Sequence, residues 1–221
     1  MFAKWCVSTG ERDCGALELG VDAYYKIAND LIDNGNFGQA LVLSAFNYAK
    51  GYNEGIELKA NFTSGNFRAY GNFAVAQQRA TDVVSNQYLF DNVTPLADLG
   101  GLTEFQYIQS HFIYTDHCQF LTGSAGMSYL WNGTRFSADM FFGSGLRMGD
   151  ANIDHEQPYA QFNVGITHEF QGWDMKPLTL RFDVVNVLDT LYQLRSGTGI
   201  GVFAPQYRPR RGFFAGLSQK F

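Results

Sequence analysis

Strict alternation constrains this chain more than any other feature. Leu180, Phe182 and Val184 alternate with Thr179, Arg181 and Asp183, and the last eleven residues set Phe213, Ala215, Leu217 and Phe221 against Phe214, Gly216, Ser218 and Lys220. Successive side chains of a strand point to opposite faces, so a period of two builds a sheet with one apolar and one polar side. The polar Gln219 interrupts the last apolar set, and the final residue is an aromatic.

Eight segments carry the alternation. The first, 15–27, sets Leu17, Leu19, Val21, Ala23 and Tyr25 against Glu18, Asp22, Tyr24 and Lys26. The others span about 39–63, 67–80 and 117–131, the segment opened by Asn132-Gly133, 159–170, and the two described above. Asn132-Gly133 is a strong hairpin signal because both residues tolerate positive φ. Short connections at 64–66, 132–133 and 171–177 fall at one end, and those at 28–38, 81–116, 147–157 and 192–207 fall at the other. Cutting the second segment at Lys50-Gly51 would break that order, so one long strand is expected there.

A soluble antiparallel sandwich also alternates. Three features favour a membrane barrel instead. The segments run to ten residues or more, against about five or six in soluble sheets. Short turns alternate with long loops, and Tyr24, Tyr25, Tyr129, Trp131, Tyr159 and Trp173 gather near segment ends, as an aromatic girdle requires. No run approaches the roughly 18 to 20 apolar residues of a membrane helix, but barrel strands average out in hydropathy, so that absence does not weigh against a barrel. Aromatics at 16% argue against disorder, and a net charge of −5 offers no basic stripe for nucleic acid. Cys6, Cys14 and Cys118 have no metal-like spacing. The opening MFAKWCVSTGERDCG lacks the apolar core of an export signal, so the sequence is expected to be a fragment of a longer exported protein.

Several motifs resemble the TonB-dependent receptor family. FNYAKGYNEGIELKANF is similar to its Asn-x-Gly-Lys-x-x-x-x-Gly-x-Glu-Leu segment through Asn47, Lys50, Gly55, Glu57 and Leu58, with Ala49 replacing the first glycine. GTRFSADMFFGSGLR resembles the penultimate hairpin region through Ser137, Ala138, Asp139 and Gly143-Ser144-Gly145. FDVVNVLDTLY resembles Asp-x-x-Asn-Leu-Phe-Asp-x-x-Tyr through Asp183, Asn186, Asp189 and Tyr192, with Val187 and Leu188 in place of Leu-Phe. GVFAPQYRPRRGFFAGLSQKF resembles the family's Pro/Arg/Gly-rich ending and terminal Phe.

The resemblance implies an all-β fold, an antiparallel transmembrane β-barrel meander. About eight C-terminal strands of a barrel of about 22 strands are expected, forming an open, curved sheet. Residues 15–221 are expected to make this partial barrel, and residues 1–14 stay unassigned. The implied function is energy-coupled uptake of a siderophore–iron complex or similar nutrient across the Gram-negative outer membrane, as part of a full-length parent. The implied partners are outer-membrane lipid, the barrel-assembly machinery reading Phe213, Leu217 and Phe221, and the TonB complex through an N-terminal part with no counterpart here. No nucleic acid is expected as partner. The alternatives are a self-contained small barrel acting as anchor or adhesin, and a soluble β-sandwich binding module.

No enzyme, cofactor or metal is expected. Gly197-Thr198-Gly199-Ile200-Gly201 does not open a helix as a dinucleotide loop must, and reads as a mobile outer loop. His111, His117 and His155 lie in or beside long connections at spacings that fit no compact ligand set. Glu18, Asp22, Glu57, Lys59, Arg135, Asp139, Arg181 and Asp183 share the polar side at similar depth, as a ladder of ion pairs in a barrel lumen would.

Overall fold

The computed structural model describes residues 2–8, 14–36, 43–84, 92–171, 176–201 and 204–219. Its strands are β1 (Phe2–Ser8), β2 (Cys14–Asn36), β3 (Leu43–Ser64), β4 (Phe67–Val84), β5 (Ile113–Tyr114), β6 (Leu121–Trp131), β7 (Thr134–Gly143), β8 (Arg147–Met148), β9 (Asp154–His155), β10 (Tyr159–Phe170), β11 (Leu178–Val185), β12 (Gln193–Arg195), β13 (Gln206–Tyr207) and β14 (Gly212–Gln219). One sheet runs in the order β1-β2-β3-β4-β6-β7-β10-β11-β14, with β5 also paired to β4. Every step of that meander is antiparallel. Among the described residues β1 and β14 are edges and do not pair with each other, so the sheet is open, as expected.

Register carries the alternation from strand to strand. Ala138, Val164, Val184 and Phe213 form one row of the apolar face, and Phe136, Ile166, Phe182 and Ala215 form the next but one. These side chains do not meet across a second layer: Val164 is 42% exposed, Phe182 45% and Leu217 67%. That exposure removes the sandwich alternative, whose apolar face would be buried against another sheet. On the polar face Asp22 and Glu57 sit directly opposite each other, a repulsive arrangement that Lys59 relieves by pairing with both, at 3.7 and 3.5 Å.

Four features differ from the expectation. Phe2–Ser8 adds a strand to the eight foreseen, pairing from Phe2↔Gly20 to Ser8↔Cys14; an open strand edge accepts almost any partner without proline, so no alternation is required of it. The supposed 28–38 loop is largely strand, because β2 continues to Asn36. Conversely β6 begins at Leu121 rather than His117. Finally, the long 81–116 connection contains helix α1 (Glu104–Ser110), closed at its N-terminus by a capping box in which Thr103 and Gln106 exchange side-chain-to-backbone hydrogen bonds.

β3 passes unbroken through Lys50-Gly51, as its alternation predicts. The reason the pattern falters there is a change of phase. Asp30 on β2 and Asp82 on β4 both stand opposite Ala49, and both have positive φ, 54° and 62°. Below this row the exposed apolar-face residues of β2 are odd-numbered (Tyr25, Ile27), whereas above it the exposed residue is Ile32. Leu31, Tyr48, Phe46 and Val83 thereby turn inward above the row.

Those inward residues are the start of the hydrophobic core. Phe46, Tyr48, Ala80 and Val83 of the long strands meet Leu99, Ile108, Ile113, Ala151 and Ile200 from three connections. Strands of 23, 22 and 18 residues rise past the ten or so needed to cross a bilayer, and the connections fold against the excess. The molecule therefore has a sheet with two open faces and a packed cap at the loop end.

Candidate functional site

The cap is built from residues distant in sequence. Asn152, fully buried at φ 56°, donates from Nδ2 to the carbonyls of Tyr114 (3.0 Å) and Ile200 (2.9 Å), and its Oδ1 accepts from the Ile200 N–H (2.8 Å). Beside it the Ala151 N–H donates to Glu104 Oε1 at 2.9 Å, tying the 144–158 connection to α1. The 197–201 segment, expected to be a mobile loop, is instead docked: Ile200 is buried in the core and held by both edges of the Asn152 amide.

Under the cap lies a cluster of charge. Asp33 at the top of β2 and Asp116 after β5 are 5% and 1% exposed. His117 Nε2 lies 3.4 Å from Asp33 and 3.1 Å from Asp116, and Arg195 of β12 reaches Asp116 at 3.0 Å. Arg195 also contacts His117 Nδ1 (3.0 Å) and the Gly201 carbonyl (3.3 Å). Burial pushes the Asp116 carboxyl up to about 6, with His117 and Arg195 opposing the rise. The hydrogen bond with Asp33 raises His117 above its ordinary value. Gly201, at φ +76°, lets the backbone pass close: a Cβ there would lie 2.7 Å from Asp116 Oδ1 and 3.1 Å from Asp33 Oδ1.

Asp33, Asp116 and His117 offer ligand atoms within 4.8 Å of one another. A cation among them would also face the Arg195 guanidinium, which already neutralises Asp116. As it stands, the cluster is a four-residue ion-pair lock that fastens the tops of β2, β5 and β12 together. Of the three loop histidines, His117 is in this lock, whereas His111 stacks on Tyr107 and His155 bonds the Glu156 carbonyl.

The motif residues sit in two other places. Asp183 leaves the polar face of β11 paired with Arg181 at 2.5 Å. Asn186, φ 54° and fully buried, exchanges hydrogen bonds with Thr190 N and O (both 2.9 Å), donates from its side chain to the Pro209 carbonyl (3.3 Å), and donates from its backbone N–H to Asn163 Oδ1 (3.0 Å). Asp189 accepts from Arg210 Nε (2.8 Å) and the Arg211 N–H (3.0 Å); the hydrogen bond from Arg210, then that from Arg211, hold its carboxyl well below the usual range. Tyr192 is buried, stacks on Tyr159 at 4.2 Å and donates to Gln161 Oε1 at 2.9 Å. The structure thus gathers Asn186, Asp189 and Tyr192 into a clamp joining the end of β11 to β10 and to the segment entering β14.

On β3, Gly55 lies beneath the ring of Tyr24 from β2; an added Cβ would approach the Tyr24 hydroxyl to 2.6 Å. Glu57 joins the Lys59 pair, and Asn47 is half-buried opposite the exposed Ile32 and Val84. Phe213 and Leu217 lie on the apolar face of β14, and Phe221 falls outside the described residues. Asp33, Asp116, Asn152, Arg195 and Arg210 carried no signal in the alternation. The one local clue was the Thr103-x-x-Gln106 pattern of the capping box, which marks α1.

Residues 11–187 match the family model described as TonB dependent receptor-like, beta-barrel. Comparison with curated proteins finds no match.

Proposed function

Because the chain belongs to the TonB-dependent receptor β-barrel family, whose members are outer-membrane transporters, we propose that it forms part of the barrel wall and outer vestibule of a receptor for energy-coupled uptake. The apolar face meets outer-membrane lipid, the polar face lines the lumen, and the cap stands outside the cell. The observation that carries this reading is the ten-stranded sheet whose apolar rows remain exposed while the packed core among the described residues sits at the loop end. A sheet that buried its apolar face in protein would need no lipid. The cargo is a siderophore–iron complex or a comparable scarce nutrient. Phe213, Leu217 and Phe221 serve as the strand signal for the barrel-assembly machinery, Gly55 and Glu57 brace the wall, and the Asn186–Asp189–Tyr192 clamp fixes the last outer loop. Residues 15–221, joined by the edge strand Phe2–Ser8, make up this part of the barrel wall.

The test uses a Gram-negative cell expressing the chain within a full-length receptor. Trypsin added to intact cells should cut the exposed 208–211 segment, and deleting residues 192–207 should abolish uptake of labelled ferric siderophore. Cleavage only after cell lysis would overturn the orientation, and undiminished uptake would overturn the role of this loop.

A further inference from the structure

Two arginines share one tyrosine on the apolar face, immediately above its greasy rows. Reading up from Ala23–Ile56–Val75–Leu121, the next same-face rows are Tyr25–Glu54–Gln77 and Ile27–Tyr52–Arg79–Tyr114. The Arg79 guanidinium carbon is 4.2 Å from the Tyr114 ring centre and its Nη2 donates to the Tyr114 hydroxyl. The Arg147 guanidinium from β8 lies over the same ring at 3.6 Å. Among the described residues no carboxylate is within ion-pair distance of either arginine; Glu54, one row below, accepts from Gln77 instead. Arg79 Nε is buried without an acceptor, and Lys50 stands one row above on the same side. Two adjacent guanidiniums repel each other and are partly desolvated; the π face of one tyrosine answers that only in part.

We propose that Arg79 and Arg147, set on Tyr114, bind the phosphate of an anionic lipid headgroup in the outer leaflet. Guanidinium matches phosphate with paired, charge-assisted hydrogen bonds. The position selects a lipid over a soluble anion. The site faces away from the lumen, two rows above the last fully apolar row, where headgroups stand. It is flanked by Tyr25 and Phe112, each packed on Tyr52 at 6.2 and 5.4 Å, as an interfacial aromatic belt. The proposal rests on the membrane reading given above.

A full-length receptor carrying this chain, reconstituted into nanodiscs of phosphatidylcholine with or without phosphatidic acid, provides the test. After detergent extraction, native mass spectrometry should show phosphatidic acid retained in preference to phosphatidylcholine. Losing a charge-assisted hydrogen-bonding partner should cut that retention about tenfold in Arg147→Gln, and further in the Arg79→Gln/Arg147→Gln pair. Arg147→Lys, which keeps the charge but loses the paired fork and the stacking, should fall between wild type and Arg147→Gln, and Lys59→Gln on the polar face should change nothing. Arg147 lies on a two-residue strand in a connection, so the single variant decides the matter if the double variant fails to assemble. Equal retention by wild type and Arg147→Gln would overturn the site. Displacement by millimolar inorganic phosphate as readily as by lipid would overturn the lipid as its occupant. A full-length receptor carrying the wild-type chain that enters neither nanodisc would overturn the membrane reading itself.

Discussion

Replacing Asn152 with alanine should open the cap and leave the sheet alone. Three hydrogen bonds disappear at once, to Tyr114 O, Ile200 O and Ile200 N, in a place where water does not reach. At about 1 kcal/mol each the loss is about 3 kcal/mol, and the left-handed φ of 56°, which suits Asn better than Ala, adds about 1 kcal/mol. Local opening governs amide exchange, so a total of about 4 kcal/mol corresponds to roughly 1000-fold faster exchange at Ile200. The measurement is hydrogen–deuterium exchange on the chain in micelles, comparing Ile200 and Ile113 with Val164 and Ile166 in mid-sheet. Asn152→Gly removes the φ cost but not the lost bonds, and should recover only the smaller share. Unchanged exchange at Ile200, or an equal acceleration at Val164, would refute the idea that the cap is a separately cooperative unit latched by this side chain.

The ion-pair lock should loosen with rising pH. Asp116 and His117 both have raised values in the folded state, so each favours the folded cap in its protonated form; their contribution is fully present below the unfolded carboxyl value of 3.8 and falls as pH rises through about 6 and past 6.5. Exchange at Ile200, corrected for its intrinsic pH dependence, should show that slope, and the opposite slope would contradict it. Gly201→Ala combines a positive φ with contacts against Asp116 and Asp33, and should cost the cap about 2 kcal/mol or more, read as faster proteolysis near Arg195. In lipid, Phe182→Arg should destabilise the barrel by about 2–4 kcal/mol and Arg181→Ala by much less, with equal losses in a denaturant titration arguing against separated lipid and lumen faces. Deleting Phe221 from a full-length parent should reduce outer-membrane assembly without reducing synthesis, which fractionation and immunoblotting would reveal.

The sheet was legible because lipid and lumen impose a period of two directly on the sequence, and β10 begins and ends where its alternation does. The upper halves of β2 and β4 were harder to read, since Asp30 and Asp82 reverse which residues face inward and so erase the period where the strands continue. Helix α1 has seven residues and buries only Ile108, too little for a helical period to emerge. The ion-pair lock left no local trace at all. Its members come from positions 33, 116, 117 and 195, and only the folding of two connections against the top of β2 brings them together. Asn186 and Asp189 stood out as a motif, but their partners Pro209 and Arg210 lie across a loop whose path the motif does not encode.

The row of Asp30, Ala49 and Asp82 also matters to anyone who would re-engineer this protein. A one-residue insertion in an ordinary strand swaps every later side chain to the wrong surface. Here the chain performs such a swap itself, across three neighbouring strands at one height, and survives because the stretch beyond it answers to a protein interior instead of to hydrocarbon. That makes the row a natural splice line. Foreign loops with their own supporting strand tips can be joined above it in whichever phase they require, whereas a junction placed below it must preserve the count of residues down to the last turn.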